Sequence, residues 1–206
     1  LADRMHAIAM STPPGPAYMS LPREVLSMPS PPAEIRRPIT MRPAIAAPAA
    51  TAVAQAADLI AAAERPVIFA QIGPRTAEGF AQLTGLVERW SIPVVQYWGT
   101  QIAIPTTHAL WAGIDPEPWL GEADCIIVLD NLAPWGPDTC RPREGAKIIQ
   151  VGPDPLHARF PVRNFGADVA LVGDVDAVVS SLANALARHK PKATAARKKM
   201  VLERAA

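Results

Sequence analysis

Short apolar runs alternate along this chain with segments whose apolar residues recur at helical spacing. The clearest run covers residues 67–70 and is bounded by Pro66 and Gly73. A short run with turn residues at both ends is typical of a strand buried on both faces. Helical patterns precede it over residues 51–64 and follow it over residues 76–90. Because parallel strands are joined by crossover helices, this alternation predicts an α/β fold with a parallel sheet.

The same patterns predict the remaining elements of the sheet. The predicted strands cover residues 67–72, 93–97, 110–112, 125–130, 147–151 and 169–172. The residues expected to cap the main helices are Thr51, Thr76 and Asp174. Together these elements indicate a Rossmann-like, doubly wound sheet of about six parallel strands with helices on both faces, over residues 51–189.

The first fifty residues show a different organisation. Residues 1–10 predict an amphipathic helix and residues 15–21 a strand, and such a pair cannot bury a core alone. Six prolines fall from Pro29 to Pro48 with no hydrophobic period among them, so residues 30–50 predict an extended linker. We therefore expect residues 1–29 to be the last part of another domain.

Charge is nearly balanced overall but uneven along the chain. The formal net charge is +1, which argues against a nucleic-acid-binding protein. Seven Lys and Arg residues and one acid lie between Arg188 and Arg204, so this end carries +6 and the rest −5. The basic tail, residues 190–206, could bind polyanions. A solvated terminus with little order is the interpretation that its composition favours.

Neither a membrane span nor a disulfide framework is expected. The longest apolar stretch, residues 44–63, is rich in alanine and is interrupted by Pro48 and Asp58. No secretory leader opens the sequence. Cys125 lies in an apolar run and is expected in the core, and two cysteines give no paired spacing for a metal. These features predict a soluble cytoplasmic protein.

Sequence signatures of catalysis are missing from this chain. It has no Gly-x-Ser-x-Gly elbow, no Walker phosphate loop and no complete Gly-x-Gly-x-x-Gly fingerprint. The four histidines are scattered, and none has a carboxylate at metal-ligand spacing. We expect each of them to be structural or solvent-facing, and we assign no catalytic residue and no metal ligand.

Three loops at predicted strand ends are candidates for a binding crevice. They cover residues 71–75, 130–136 and 152–154. In doubly wound sheets, ligands bind outside the carboxyl ends of the strands where the strand order reverses. Asp130 and Asp154 could accept hydrogen bonds from ribose hydroxyls. The alternatives are that Asp130 simply ends its strand and that Asp154 caps the turn after it.

An ordered series of segments resembles one family. GPAYMSLPREVL is similar to the closing strand of the pyrimidine-binding domain in thiamine-diphosphate enzymes such as acetolactate synthase and benzoylformate decarboxylase. The similarity to the central domain of those enzymes continues through RPVIFA, IPVV, the Gly99 loop with Pro105 and His108, ADCIIVLD, AKIIQVGPDP and LVGD. The order of these segments carries the resemblance, and it covers nearly the whole chain.

The resemblance implies a three-domain parent enzyme. In this family the pyrimidine-binding domain supplies a glutamate that activates the cofactor. The pyrophosphate-binding domain holds the diphosphate and Mg²⁺ through a Gly-Asp-Gly motif that ends in Asn. Neither feature is found here, so the chain is expected to be inactive alone, with residues 190–206 leading to the missing pyrophosphate-binding domain. The parent would be a lyase or transferase that cleaves or forms a C–C bond of a 2-oxo acid, as a homodimer or homotetramer.

The resemblance also implies a possible nucleotide site, because the central domain binds FAD or ADP in some relatives. The matching positions in this chain are Gly73, Gly99, Asp130, Asp154 and Asp174. The arginine expected two residues after Asp130 is Leu132, and only one glycine remains in the turn after the first strand. Since Leu132 cannot pair with a diphosphate, FAD is not expected to bind tightly. ADP or a related nucleotide is less demanding and stays open.

Two other functions are compatible with a Rossmann-like fold. One is a stand-alone dinucleotide-binding module. The other is a deacetylase related to the sirtuins, which would need a catalytic histidine in a glycine-rich pocket and usually a four-cysteine zinc site. Two widely spaced cysteines argue against the second function.

Overall fold

The computed structural model describes residues 1–29, 41–192 and 194–205. They form two compact units, Leu1–Ile45 and Ala46–Ala206. Most of the predicted linker, residues 30–40, lies outside the described residues, and residues 41–49 belong to no helix or strand. None of the described helices is long and apolar enough to cross a membrane.

The first unit contains helices α1, Ala2–Ala9, and α2, Arg23–Leu26. The predicted N-terminal helix is therefore confirmed. The predicted strand over residues 15–21 is wrong: these residues form no strand, and from Gly15 to Ser20 all are exposed. A strand needs a neighbouring strand to satisfy its backbone groups, and the described part of this unit contains none.

The second unit is an α/β domain built on five parallel strands. The strands are β1, Pro66–Ala70; β2, Val94–Val95; β3, Cys125–Leu129; β4, Lys147–Gly152; and β5, Val169–Val172. The helices are α3, Ala50–Ala62; α4, Ala77–Trp90; α5, Glu117–Leu120; α6, Val175–Leu186; and α7, Thr194–Ala205. The strand order is β2-β1-β3-β4-β5, which confirms the predicted parallel α/β fold.

The sheet has five strands rather than the six predicted, because residues 110–112 make only one bridge. Trp111 bridges Val94 in the parallel direction. The backbone N–H of Val94 donates to the carbonyl of Leu110 at 2.9 Å, and that of Ala112 donates to Val94 at 2.8 Å. Gly113 then takes a positive φ of 85°, and its carbonyl accepts from the N–H of Gln96 at 2.9 Å without forming a second bridge among the described residues.

The centre of the core lies around β3, whose five residues are all buried. Cys125 is among them, as predicted, and burial raises the pKa of its thiol to about 12. On the loop that follows β3, Trp135 packs edge-on against Phe69 of β1 and Phe165, with ring centroids 6.0 and 5.2 Å apart. The loop after β3 is therefore packed against β1 and against the loop that precedes β5.

Two of the three predicted helix caps are present. The Thr76 hydroxyl accepts a hydrogen bond from the backbone N–H of Gly79 at 3.0 Å. The carboxylate of Asp174 accepts one from Asp176 at 3.0 Å. The third prediction is wrong, because α3 begins at Ala50 and places Thr51 inside its first turn. The alanines around Thr51 favour helix strongly enough to extend it past the threonine.

The prediction of a poorly ordered basic tail is also wrong, because residues 194–205 form α7. Arg197 and Val201 are buried on one face of this helix. The Arg197 guanidinium donates to the carbonyls of Glu64 at 2.8 Å and Trp90 at 3.1 Å, and also to that of Ala63. Composition indicated the charge of this segment, but these acceptors come from helix ends more than 100 residues away in sequence.

Candidate functional site

The candidate crevice lies at the carboxyl ends of β1 and β3. From β1 the chain continues to β2 on one side of the sheet, while β3 lies on the other side. This is the reversal of strand order at which doubly wound sheets bind ligands. The loops after β1, β3 and β4 surround it, as the sequence predicted.

A side chain from the β1 loop spans this crevice. The Gln71 Oε1 atom accepts a hydrogen bond from the backbone N–H of Leu132 at 2.9 Å. The Gln71 carbonyl accepts further bonds from Thr100 at 2.8 Å and Gln101 at 3.2 Å. Three loops are thus tied together at one residue. A polar residue directly after a buried strand was the available sequence signal for this role.

Gly73 and Gly99 allow close packing between loops rather than space for a ligand. A Cβ atom on Gly73 would lie 2.4 Å from the Ile102 carbonyl oxygen. One on Gly99 would lie 3.1 Å from Nε2 of Gln96, whose amide donates to the carbonyl of Gln101 at 3.1 Å. The space beside each glycine is therefore filled by the chain itself.

Asp130 is the most perturbed carboxylate of the crevice. It has a positive φ of 38°, and its Oδ1 would be 3.1 Å from a Cβ on Gly152. Burial raises the pKa of Asp130 to about 6; Arg75 opposes this shift, and the nearby charges of Asp174 and Asp154 add to it. The glycine at 152 therefore lets the carboxyl group of Asp130 lie against β4.

The other two predicted carboxylates have structural partners. Both oxygens of Asp154 accept from the backbone N–H of Ala158, at 3.1 and 3.0 Å. This is the turn-capping role that the sequence left open as an alternative. Asp174 caps α6. All three carboxylates are electrostatic neighbours, but only Asp130 is left without such a capping role.

Arg163 contributes a cation that sequence reasoning missed. Its Nε donates to the Leu132 carbonyl at 2.9 Å, and Nη2 donates to Asn131 at 3.0 Å and to Gln150 Oε1 at 3.3 Å. Burial lowers the pKa of this guanidinium. Arg163 comes from the loop after β4, so no fixed sequence spacing from Leu132 could predict that the two residues are hydrogen-bonded.

The histidines lie apart from any reactive centre. His108 contacts Glu88 at 3.1 Å and accepts a backbone hydrogen bond from Leu110 at 3.1 Å. The pKa of His157 is lowered, first by burial and then by the charge of Arg163. Within the part of the chain that the structure describes, no three His, Cys, Asp or Glu side chains group to hold a metal ion. The crevice can offer hydrogen bonds and charge, but no nucleophile beside a base.

A second concave surface, which we call the β2 groove, lies next to the crevice. It encloses about 500 Å³. Its lining residues are Gln96, Tyr97, Trp98, Gly99, Thr100, Gln101, Ile102, Thr106, Trp111 and Ile114. Trp98, Ile102 and Ile114 are 69%, 56% and 68% exposed. Three large apolar side chains of the groove therefore face solvent, among polar lining residues that include Gln96, Thr100 and Gln101.

Comparison with known proteins identifies the family. The family model described as "Thiamine pyrophosphate enzyme, central domain" matches residues 53–182. This chain belongs to that family. The match begins in α3 and ends in α6, so it contains the five strands and both crevice-forming loops of β1 and β3. The resemblance inferred from the ordered segments is confirmed.

Several relatives place the domain in longer proteins. An acetolactate synthase of Mycobacterium bovis is 31% identical in an alignment 204 positions long, which covers 92% of this chain and 32% of that protein. The structure of a Mycobacterium smegmatis protein assigned as a thiamin diphosphate-dependent enzyme is 27% identical and has a TM-score of 0.70, covering 94% of this chain and 37% of that one.

The fold is shared more widely than the sequence. Benzoylformate decarboxylase from Polynucleobacter necessarius is 22% identical, with a TM-score of 0.69 over 94% of this chain and 36% of that one. This likeness shows the fold alone. The chain spans about a third of the length of the acetolactate synthase that it matches.

Proposed function

We propose that this chain is the central domain of a larger thiamine-diphosphate-dependent enzyme. The parent would cleave or form a C–C bond of a 2-oxo acid, as an acetolactate-synthase-like lyase or transferase. The family match and the acetolactate synthase relatives support this proposal. The proposal places the parent enzyme in the cytoplasm, as a homodimer or a homotetramer. A stand-alone dinucleotide-binding module is not favoured, because the match is to a domain of longer enzymes.

The role of the domain in that enzyme is to be a scaffold. The observation that carries this role is the internal use of the crevice: Gln71 bridges to Leu132, and Gly73 packs against Ile102. Several groups that would face a ligand, among them the Gln71 side chain and the Leu132 N–H, are bonded to the chain itself. The domain would space the catalytic domains and contribute to subunit contacts.

The residues of this chain do not fit thiamine diphosphate or Mg²⁺. The sequence contains neither the segment that carries the cofactor-activating glutamate of the family nor its Gly-Asp-Gly motif. The described residues include no group of three or more His, Cys, Asp or Glu side chains that could hold a cation. Both would be held by the pyrimidine- and pyrophosphate-binding domains of the parent, so no catalytic step is assigned to this chain.

An adenine nucleotide is the second candidate function of the crevice. Of the positions predicted from the sequence, Gly73, Gly99, Asp130, Asp154 and Asp174, Asp130 has the carboxylate with the fewest partners among the described residues, which supports a contact to a ribose hydroxyl. FAD fits less well, because loop 100–103 fills the space beside Gly73 through which its diphosphate would approach. The nearby cation Arg163 already donates hydrogen bonds from its Nε and Nη2 atoms to backbone and side-chain acceptors of this chain.

The test compares this chain with the longer polypeptide encoded by its gene. Isothermal calorimetry with thiamine diphosphate and Mg²⁺ should show saturable binding by the longer protein, and formation of a 2-hydroxy-3-oxo acid from pyruvate should accompany it. The 206-residue chain should show neither. Saturable micromolar binding by this chain alone would refute its assignment as a central domain.

A further inference from the structure

The two connections that flank β4 contain no helix. Residues 130–146 lead from β3 to β4 and residues 153–168 lead from β4 to β5, and the structure, which describes both segments in full, shows only turns and irregular backbone there. Helices α3, α4 and α6 pack on the sheet face that carries Ile127 and Val151. Because side chains alternate across a strand, Ile148 of β4 faces the other side, where these two loops take the place of a helix.

The two loops enclose a pocket of about 560 Å³, which we call the β4 pocket. Its apolar lining includes Trp135, Ala146, Ile148 and Phe165. The rings of Trp135 and Phe165 pack edge-on with their centroids 5.2 Å apart, and Trp135 is only 4% exposed. The apolar lining is therefore fixed by its own packing. A pocket of this size with an apolar lining is typical of sites for small organic ligands.

Two arginines, Arg141 and Arg143, line the same pocket. The Nε atom of Arg141 donates to the carbonyl of Pro137, another lining residue, at 3.3 Å. Its two terminal nitrogens have no acceptor within the described part of the chain. Arg143 lies 3.9 Å from the carboxylate of Asp124, which is beyond hydrogen-bond distance. Both guanidinium groups therefore keep donors that the chain itself does not use.

Arg163 shows how an arginine with a structural role differs. Its guanidinium lies over the Phe165 ring, 5.2 Å from the centroid. Its Nε and Nη2 atoms donate to Leu132, Asn131 and Gln150. That arginine helps to hold the loops together, whereas Arg141 and Arg143 present their terminal donors to the pocket or to solvent.

We propose that the β4 pocket binds a small organic monocarboxylate. The carboxylate pairs with Arg141 and Arg143, since a guanidinium matches a carboxylate through two parallel N–H bonds, and the apolar body packs on Ile148 and Phe165. The charged lining residues are these two arginines and Asp138, so they sum to +2 − 1 = +1. That sum matches a single negative charge and disfavours a dianion such as phosphate.

This site goes beyond the proposed function and is separate from the crevice. None of the five positions predicted for a nucleotide, Gly73, Gly99, Asp130, Asp154 and Asp174, lines the β4 pocket. The pocket lies on the face of the sheet at the start of β4, whereas the crevice lies at the carboxyl ends of β1 and β3. Binding at one of them can therefore be measured without the other.

Isothermal calorimetry with three matched probes tests the proposal on the 206-residue chain. Phenylacetate carries both the charge and the apolar body, phenylacetamide keeps the shape without the charge, and acetate keeps the charge without the body. Phenylacetate should bind saturably with one site per chain, and each of the other two should bind at least about tenfold more weakly. Equal affinities for phenylacetate and phenylacetamide would overturn the proposal, and so would inorganic phosphate that binds as tightly as phenylacetate.

Variants locate the binding site. Arg141→Gln and Arg143→Gln should each weaken phenylacetate binding by about tenfold, because each removes charge-assisted hydrogen bonds to the carboxylate. The matched control is Arg159→Gln, since Arg159 is exposed and lies outside the pocket, and it should leave the affinity unchanged. Circular dichroism melts compare the folding of the three variants. Equal affinities in Arg141→Gln and Arg159→Gln would overturn the assignment of the site.

The same comparison in the longer polypeptide encoded by the gene separates this site from the proposed function. Its substrate site could also take carboxylates, so the difference between Arg141→Gln and Arg159→Gln is the measure of binding to the β4 pocket. That difference should persist there, and its loss would overturn the proposal by showing that the rest of the enzyme closes the pocket. Thiamine diphosphate binding, titrated in parallel, should be the same in both variants and reports on the proposed function alone.

Discussion

The guanidinium of Arg197 donates a hydrogen bond to the carbonyl oxygen of Trp90 over 3.1 Å, although 107 residues separate them. Trp90 is the last residue of α4, and its carbonyl is one of the acceptors that a helix end leaves without a partner. Arg197 also donates to the carbonyls of Ala63 and Glu64, just after α3. One buried side chain therefore completes two helix ends and fixes α7 to the domain.

Replacing Arg197 by methionine should destabilise the domain by at least about 2 kcal/mol, because three carbonyls lose a charged donor. Arg197→Lys should recover only part of this loss, since an ammonium cannot reproduce the planar guanidinium geometry. Urea unfolding measures both variants. The control is Lys198→Met on the exposed face of α7, which should change stability by less than about 0.5 kcal/mol. Equal losses of stability at positions 197 and 198 would contradict this role of Arg197.

Ile127 tests the central position of β3. Its side chain is 4% exposed, and the strand pairs with β1 on one side and β4 on the other. Ile127→Ala should cost about 2–5 kcal/mol, the usual effect of removing a large aliphatic side chain from a packed core. Val172→Ala, in the exposed part of the edge strand β5, is the control. A loss below about 1 kcal/mol at Ile127 would be incompatible with a central strand.

Gly73 should be required for folding rather than for ligand binding. Gly73→Ala would bring a methyl group to 2.4 Å from the Ile102 carbonyl, so it should cost about 1–3 kcal/mol in the absence of any ligand. Gly85 is the matched control, because it is helical and nothing lies within 4 Å of its added Cβ. Gly85→Ala should gain about 0.5–1 kcal/mol. Thermal unfolding of both variants measures the difference.

Two carboxylates should affect stability in opposite directions with pH. The pKa of Asp130 is raised to about 6 by burial, so its contribution is present at low pH and is lost as the pH rises through 6. Asp130→Asn should therefore be more stable than wild type at pH 7.5, and this advantage should vanish towards about pH 4, near the pKa of an unfolded Asp. Asparagine also tolerates the positive φ at this position.

Asp168 provides the comparison of opposite sign. The backbone N–H of Ile148 lowers its pKa against the effect of burial, with help from Lys147. Its contribution is therefore present above about pH 4 and is lost below that. Asp168→Asn should be less stable than wild type at pH 7, with the gap closing in acid. Chemical denaturation from roughly pH 3 to 8, which spans the pKa values of an Asp in the unfolded chain and of Asp130 in the fold, measures both variants, and parallel slopes would contradict the assignment.

FAD should not bind this chain tightly, because the space beside Gly73 is filled and position 132 is leucine. The purified protein should be colourless, and fluorescence titration with FAD should give no saturable quenching at micromolar concentration. ADP is titrated separately, since it could still use Asp130. A yellow protein with stoichiometric flavin would refute this prediction and would point to Arg163 or Arg75 as the cation that replaces the expected arginine.

Local sequence determined most of the secondary structure. The unbroken apolar runs at β1 and β3 indicated the middle of a parallel sheet, because strands covered on both faces are apolar at nearly every position. Thr76 and Asp174 mark helix starts through bonds to residues two or three positions ahead. The order of such segments was also enough to indicate the family.

Tertiary structure decided what the same kinds of residue became elsewhere. Residues 15–21 have strand-like composition, but the described part of their unit contains no strand to pair with. The basic C-terminal segment became a packed helix because carbonyls at the ends of α3 and α4 accept hydrogen bonds from Arg197. In the crevice, Gln71, Arg163 and Leu132 come from three separate loops. A hydrogen bond depends on distance in space, and the sequence spacing of these residues carries no record of it.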